Sequence, residues 1–193
     1  MSRVTRFARC VFVPRYHVEN LPAGSVVYDV SSYAEPPHCE FSPMWVHGGV
    51  PVPGAPGETS DTVEGVWQGL KVIRGQTAPR YFRGPGAKRG GKPSGHRFGT
   101  KLLGVVEARR RIYVPTYEWV IENRIPPEPI RAFIDAAFAG VTQHFHDVGD
   151  NGDPNDATQP LAHAAVLVRY LNRKCAERAA AGGCQQALIP TDW

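Results

Sequence analysis

The sequence predicts a single compact α+β domain in which helices pack around a small sheet and loops are abundant. Its 193 residues, 42% hydrophobic and 21% charged, suit one globular domain with a sizeable core. The 20 glycines and 18 prolines exceed the usual share, so much of the chain should be loop. Because we find no internal repeat and no long linker, we predict one domain over residues 1–193.

The predicted elements of the first half are strands at 6–13 and 26–30, a proline-rich loop at 33–60 and a helix at 61–74. The strands are predicted because β-branched and aromatic residues dominate both segments. In the helix, Asp61 is placed to cap the first turn and Glu64 to complete a capping box. Apolar residues then recur at helical spacing as far as Ile73.

The predicted elements of the second half are helices at 100–112, 129–139 and 161–181, a strand at 141–147 and an acidic loop at 149–159. Segment 113–117 contains Pro115 and should break the first of these helices, with a helix resuming near 119–121. Residues 109–111 are three arginines, which we expect mostly on the outer face. Gly140 should end the helix before it, and residues 182–193 should form a loose tail.

The composition also predicts where the protein works. No segment approaches the roughly 18 apolar residues that a membrane-spanning helix needs, so we expect no membrane association. The short apolar run at 10–13 ends at Pro14 and is too brief for a signal sequence. The four cysteines show no C-x-x-C spacing and are too few for a disulfide framework. Together these features predict a reduced, cytoplasmic protein.

The positive charge of the chain is concentrated in one segment. No acidic residue occurs between Glu64 and Glu107, whereas nine basic residues do: Lys71, Arg74, Arg80, Arg83, Lys88, Arg89, Lys92, Arg97 and Lys101. Such a segment is either a solvated basic loop or the binding site of an anionic ligand. Interleaved glycines, which expose backbone N–H groups beside the cations, favour the anion site.

The predicted helix at 61–74 carries a polar stripe. Glu64, Gln68 and Lys71 follow one another at i, i+4 and i+7, and Trp67 lies beside them. The stripe is either an ordinary wet helix face or a functional site. A carboxylate beside an indole and near a basic anion site can stabilise a sugar cation, because glycosidic bonds break through oxocarbenium-like states.

Two loops resemble known ligand loops without matching them. The run from Gly86 to Lys92 has G-x-x-x-x-G-K spacing, but Pro93 stands where a P-loop has Ser or Thr. We retain the smaller prediction that Lys88, Arg89, Lys92 and His96 contact phosphate. The acidic loop fails as an EF-hand because its twelfth position is Thr158, so we interpret it as turns that can bind a hydrated cation or a ribose.

Several of these residues together resemble the NADAR (YbiA-like) superfamily. Phe41-Ser42-Pro43, followed by Glu64, Trp67, Gln68 and Lys71, resembles its first motif, F-S-P and then E-H-Y-x-Q-A-x-K. The run 87–90 resembles its second motif, A-K-R-x-G, and the resemblance extends over about 29–170. It implies a compact α+β fold and hydrolysis of an N-glycosidic bond in an ADP-ribose-like or nucleotide-like substrate. We assign no cofactor and no metal-binding residue from the sequence, which leaves metal dependence open.

The resemblance also implies roles for single residues. Glu64 would be the acid, base or cation-stabilising carboxylate, and Lys71 would contact phosphate or ribose or attack an opened sugar. The other implied substrate contacts are Trp67, Gln68, Lys88, Arg89, His96, Asn151 and His163. The superfamily's late Asp-x-x-Trp-Gly signature is absent, so Asp153 is our choice for the second catalytic residue, with Asn151 beside it. Gly65 and Gly69 replace the usual His and Ala.

Three functions follow from these observations. The first is an N-glycosidase acting on an anionic nucleotide-type small molecule. The second is a non-catalytic module that binds ADP-ribose, a nucleotide or nucleic acid through residues 71–101. The third is an enzyme that removes base adducts from ADP-ribosylated nucleic acid, reaching an extruded base with its basic segment. We favour the first, with Glu64 at its centre.

Overall fold

A computed structural model describes residues 7–185 and the side chains of residues 7–181. The α+β prediction is confirmed, but the strands form three small sheets. The strands are β1 (Cys10–Phe12), β2 (Val26–Asp29), β3 (Val50–Pro51), β4 (Thr59–Ser60), β5 (Lys71–Val72), β6 (Gly95–Phe98), β7 (Lys101–Leu103) and β8 (Gln143–His146). The helices are α1 (Val63–Leu70), α2 (Val105–Ala108), α3 (Val114–Asn123), α4 (Pro127–Phe138) and α5 (His163–Gln185), with a π-helical turn at Arg109–Tyr113.

The first sheet has the order β1-β8-β2 and is parallel throughout. Parallel neighbours are usually joined by long crossovers, and here the central strand comes more than a hundred residues after β2. Phe145 on β8 is fully buried and packs against Tyr28 on β2 and Phe133 on α4. Helices α4 and α5 pack on each other, and α5 packs on β1 and β8. These residues belong to a buried core that continues into α1 through Val63, Val66 and Leu70.

The third sheet carries both ends of the basic segment, and the second lies before it in the chain. β3 and β4 form an antiparallel pair, and β5, β6 and β7 form an antiparallel sheet in sequence order. Helix α1 leads directly into β5, so the stripe predicted along one helix passes from helix to strand at Lys71. Short 3₁₀ helices at His38–Phe41 and Pro79–Phe82 lie in the loops on either side of α1.

The predicted start of α1 is wrong in detail. Thr62 caps the helix, its Oγ1 accepting the Gly65 N–H at 2.8 Å. Asp61 accepts the Gly84 N–H at 2.7 Å instead and so ties down the basic segment. Glu64 makes no capping box, because its carboxylate turns to Gln68. The helix ends at Leu70, earlier than the predicted residue 74.

The predicted helix at 100–112 is also wrong in its first part. Gly99, with φ of 58°, and Thr100 form a two-residue turn that folds 101–103 back as β7. The predicted break at 113–117 does not occur either. Pro115 has no N–H to donate, and the wider π-helical turn before it carries the chain into α3 without a break. This turn also buries Arg109, which we expected outside.

The predicted loop at 33–60 also contains β3, β4 and the 3₁₀ helix at His38–Phe41, whereas the remaining helix and strand predictions differ only at their ends. The strands 6–13, 26–30 and 141–147 are β1, β2 and β8, and the helices 129–139 and 161–181 are α4 and α5. Gly140, with φ of 85°, follows α4 as expected. Helix α5 runs to Gln185, and the rest of the predicted tail lies outside the described residues. No helix within residues 7–185 is long and apolar enough to cross a membrane.

Candidate functional site

Glu64 and Gln68 form the centre of the candidate site. They lie one turn apart on α1, and Gln68 Nε2 donates to Glu64 Oε1 at 2.6 Å. Glu64 is 8% exposed and Gln68 is 2% exposed, so the pair is almost closed off from solvent. The Glu64 N–H donates to the Pro43 carbonyl at 2.8 Å, which brings the Phe-Ser-Pro segment against the first turn of the helix.

Gln68 also joins the helix to the basic segment. Its Oε1 accepts the backbone N–H of Arg89 at 3.0 Å. A side chain of α1 therefore holds the backbone of the basic segment. The Arg89 guanidinium donates to the carbonyls of Lys71 at 2.6 Å and Gln76 at 3.1 Å. Arg89 therefore braces the loop, whereas the neighbouring Lys88 is exposed.

Lys71 and His96 face each other across β5 and β6. Burial lowers the pKa of Lys71; Glu64 opposes that shift, while Lys88 and Arg89 add to it. The charges of Glu64, Lys88 and Arg89 therefore all act on the half-buried Lys71 ammonium. Burial, and then the charge of Lys71, lowers the pKa of His96 to about 4, so this imidazole is neutral at physiological pH.

His96 is stacked and unpaired. It is 2% exposed, and its ring lies 3.7 Å from the Trp67 ring, centroid to centroid. Neither ring nitrogen has a hydrogen-bond partner in the part of the chain that the structure describes. Buried polar atoms are nearly always paired, so two orphan nitrogens on one ring are unusual. They are groups that a ligand or an ordered water can satisfy.

Close contacts leave no room for a side chain at two glycines of α1, Gly65 and Gly69. A Cβ on Gly65 would lie 2.5 Å from Ser60 Oγ and 2.6 Å from the Tyr81 carbonyl oxygen. A Cβ on Gly69 would lie 2.1 Å from the Phe82 ring. Helix α1 thus packs so tightly against the 3₁₀ helix at Pro79–Phe82 that His and Ala do not fit in this arrangement.

Asn151 and Asp153 lie in a loop that satisfies its own polar groups. Asn151 is buried; its amide donates to the carbonyls of Asp156 at 3.1 Å and Gln159 at 3.0 Å. Asp153 is exposed and accepts the Asn155 N–H at 2.9 Å, which is an Asx turn. The Arg109 guanidinium donates to the carbonyls of Pro154, Asp156 and Gln159 in this loop.

His163 lies at the start of α5 with both ring nitrogens paired. Nδ1 lies 2.7 Å from Asp147 Oδ2, and Nε2 lies 2.8 Å from the Val30 carbonyl. Asp147, 1% exposed, also accepts the N–H groups of Ala164 and Gly149. Burial alone would raise the pKa of Asp147, but His163 and these two N–H groups hold it below its usual value.

The structure therefore divides the predicted site residues into two groups. It brings together Glu64, Trp67, Gln68, Lys71, Lys88, Arg89 and His96, which we call the Glu64 cluster. No hydrogen bond or ion pair within residues 7–185 links Asn151, Asp153 or His163 to these residues. Lys92 is exposed, and no such contact joins it to the cluster either.

Sequence reasoning did not assign a site role to Tyr113, which adjoins the cluster. Its ring meets the edge of Trp67 at 5.5 Å and is 7% exposed. Burial raises the pKa of Tyr113 well above its ordinary value, and the nearby Glu64 carboxylate adds to the rise. The two tyrosines of segment 113–117 indicate a candidate binding surface, but the predicted helix break placed Tyr113 in a loop.

Two clefts open away from the Glu64 cluster. One, of about 220 Å³, lies between α3, α5 and the Gly152–Pro154 loop. The other, of about 580 Å³, is a shallow groove along the α3–α4 connection and α5. Within residues 7–185, no three His, Cys, Asp or Glu side chains are grouped so as to hold a metal ion.

The comparisons with known proteins give one result. No curated protein and no solved structure matches this chain. A protein-family model matches residues 14–167, which include every residue of the Glu64 cluster as well as Tyr113, Asp147 and His163. Because the match covers well over half of the 193 residues, the chain belongs to this family, the family of unknown function DUF6939.

Proposed function

We propose that this protein is an N-glycosidase that hydrolyses the bond between ribose and a base in an anionic, ADP-ribose-like or nucleotide-like substrate. We further propose that it is a divergent relative of the NADAR superfamily and works in the cytoplasm. The three cysteines described, Cys10, Cys39 and Cys175, are free thiols, as expected in a reducing compartment. No metal or cofactor is part of the proposal.

One observation carries the proposal: the hydrogen-bond chain from Glu64 through Gln68 to the backbone of Arg89. It fixes a nearly buried carboxylate beside the segment that holds nine cations. A carboxylate in such surroundings acts on a developing positive charge far more strongly than it would in water. The cations next to it suit the phosphates of the same substrate.

In the proposed reaction, the bond from C1′ of the ribose to the base nitrogen breaks and its electron pair leaves with the base. Glu64 stabilises the positive charge that forms on the sugar, and then accepts a proton from the water that bonds to C1′. That proton balances the charge of the departed base. Lys71 and the exposed Lys88 bind phosphate oxygens, and Trp67 packs against the sugar or base.

A non-catalytic binding module is the second candidate, and a specific observation favours it. Glu64 is only 8% exposed, and neither of the two clefts described above opens onto it. A substrate would need Trp67 or the loop carrying Lys88 to move before it reached the carboxylate. A binder that uses only Lys88 and its neighbours would need no such movement.

The test compares the wild-type protein with Glu64→Gln, which keeps an acceptor oxygen for Gln68 and removes the charge. Glu107→Gln is the matched control, because Glu107 is an exposed glutamate on α2. Base release from NAD, ADP-ribosylated guanosine and ADP-ribosylated DNA is measured by mass spectrometry. We expect Glu64→Gln to lose about 10²-fold or more in kcat while its affinity for ADP-ribose is retained.

Each other result points elsewhere. Binding of ADP-ribose without base release by the wild-type protein would replace the enzyme with the binding module. Equal kcat in the wild type and Glu64→Gln would remove Glu64 from the mechanism. Release from DNA alone, with binding that weakens steeply as salt is added, would identify a nucleic-acid enzyme, because phosphate contacts release counterions.

A further inference from the structure

Tyr113 lies at the end of the π-helical turn and against the Glu64 cluster. Its ring packs edge-on against Trp67, with an interplanar angle of 72°. Trp67 follows Glu64 by three residues on α1, so the two side chains are neighbours on the helix surface. The charge of Glu64 also acts on Tyr113, helping to raise the pKa of the phenol. Helix α1 packs directly against the π-helical turn that carries it. Tyr113 is therefore part of the same buried surface.

The hydroxyl of Tyr113 differs from that of its neighbour Tyr117. The two rings stack at 6.4 Å with an interplanar angle of only 6°. Tyr117 Oη donates to the Phe41 carbonyl at 2.7 Å, which ties α3 to the 3₁₀ helix at His38–Phe41. No side-chain hydrogen bond formed within residues 7–185 involves Tyr113 Oη. Tyr113 is 7% exposed, and its Oη is not closed off from solvent as the His96 nitrogens are, so a ligand can reach this donor.

The backbone around Tyr113 is a second, independent indication. π-helical turns are rare and frequently occur at functional sites, because the extra residue redirects the side chains next to it. Here the turn directs Arg109 into the acidic loop and Tyr113 towards Trp67. Pro115, in the first turn of α3, follows the π-helical turn directly. Tyr113 and the unpaired His96 ring thus both contact Trp67.

We propose that Tyr113 Oη contacts the substrate beside Glu64 and donates a hydrogen bond to the departing base. This inference rests on the proposed glycosidase function and adds a residue to it. When the C1′–N bond breaks, the base takes the electron pair, and the hydrogen bond from Tyr113 stabilises that negative charge. The phenol keeps its proton throughout, and the base later gains the proton that the attacking water gave to Glu64.

The test depends on the leaving group. Nicotinamide leaves NAD as a neutral molecule, whereas a purine leaves an N-glycoside with negative charge. We expect Tyr113→Phe to lower kcat by about 10²-fold on an ADP-ribosyl purine, the range seen when an oxyanion-hole donor is removed, and only a few-fold on NAD. Tyr117→Phe is the matched control: it removes a structural hydroxyl from the adjacent ring, so any loss should be equal on both substrates.

A second measurement follows the wild-type protein, so the test does not depend on how well a variant folds. In protein labelled at tyrosine Cζ, addition of a non-hydrolysable analogue of the ADP-ribosyl purine should shift the Tyr113 resonance and leave that of Tyr117 in place. Equal losses on the two substrates, or an unmoved Tyr113 resonance, would overturn the inference.

The proposed function and this inference fail separately. If the wild type cleaves both substrates and Tyr113→Phe does so equally well, the glycosidase stands and the Tyr113 contact falls. If the wild type cleaves neither substrate but binds the purine compound about tenfold more tightly than Tyr113→Phe does, the glycosidase falls and the contact stands. Absence of any binding overturns both.

Discussion

Two buried polar regions of this molecule differ in how completely they are paired. Around Asp147 and His163, every nitrogen and oxygen that we have described accepts or donates a hydrogen bond within the protein. In the Glu64 cluster, the nitrogens of His96 have no partner among the described residues, and Lys71 is partly desolvated close to two other cations. The aromatic residues Trp67, Tyr113 and Tyr117 connect the two regions, with Trp67 contacting His96 at one end and Tyr117 contacting His163 at the other.

The difference separates a structural role from a ligand-binding one. A fully paired buried network fixes the fold, since removing one member leaves the others unsatisfied. A partly paired one costs stability unless a ligand completes it, and such groups concentrate at functional sites. We therefore assign Asp147 and His163 to the fold, and the Glu64 cluster to function. The predictions below test this assignment, from the largest expected effect to the smallest.

Asp147→Ala should destabilise the protein by about 3–5 kcal/mol, because it leaves the His163 ring and two backbone N–H groups buried without their acceptor. Urea unfolding followed by circular dichroism measures the loss. Asp153→Ala is the control, since its exposed carboxylate makes only an Asx turn, and it should lose less than about 1 kcal/mol.

The same pair tests the sequence prediction for Asp153 as a catalytic residue. If Asp153→Ala loses base release at unchanged stability, the acidic loop belongs to the site and the division between the two regions is wrong. If Asp147→Ala unfolds no more easily than the wild type, its network is not structural.

His96 should make the protein sensitive to mild acid. Its pKa is about 4 in the folded protein and 6.5 ordinarily. As pH falls below 6.5, the unfolded chain gains a proton that the folded chain does not take, so stability falls with pH. Between pH 7 and pH 5 this residue alone should remove about 2 kcal/mol from the free energy of unfolding.

The check is unfolding of the wild type and His96→Phe at several pH values, because phenylalanine keeps a ring against Trp67. The loss between pH 7 and pH 5 should be smaller in the variant. His47, whose pKa burial also lowers to about 4, is present in both proteins and contributes equally. Identical slopes would mean that His96 is solvated or paired in the folded protein.

Arg89→Lys should have the smallest effect, a loss of about 1 kcal/mol. A lysine ammonium cannot hold the carbonyls of both Lys71 and Gln76, and the guanidinium is partly exposed. Lys88→Ala is the contrasting variant: we expect unchanged stability but several-fold weaker binding of ADP-ribose by calorimetry. The reverse pattern would mean that Arg89 binds the phosphates and Lys88 stabilises the fold.

The elements that the sequence predicts well have locally complete signals. Helix α4 has prolines at its start, an amphipathic pattern along its length and Gly140 after its end, so no distant contact is needed to place it. The pair Leu102 and Leu103 shows the opposite case. Their spacing fits a helix, but the turn at Gly99 and pairing with β6 make them a strand. Hairpin pairing with the preceding strand overrides the helical pattern there.

The site was predictable to the same extent. The spacing of Glu64 and Gln68 on one helix face is local, and their hydrogen bond follows from it. Lys71 lies near Glu64 although the helix ends before it, because β5 continues directly from α1. By contrast, Gln68 and the Arg89 backbone are joined by the path of a loop, and Asp147 and His163 by the packing of α5 on β8. No local pattern in the sequence predicts these two contacts.

The order of the first sheet also bears on how the chain folds as it is made. β8 lies between β1 and β2, so both of these strands stay unpaired until β8, which is synthesised much later, is available. Contacts this distant in sequence slow folding, and unpaired strand edges invite association while they wait. We therefore expect slow refolding with single-exponential kinetics, and nascent chains truncated before Gln143 that aggregate or recruit chaperones.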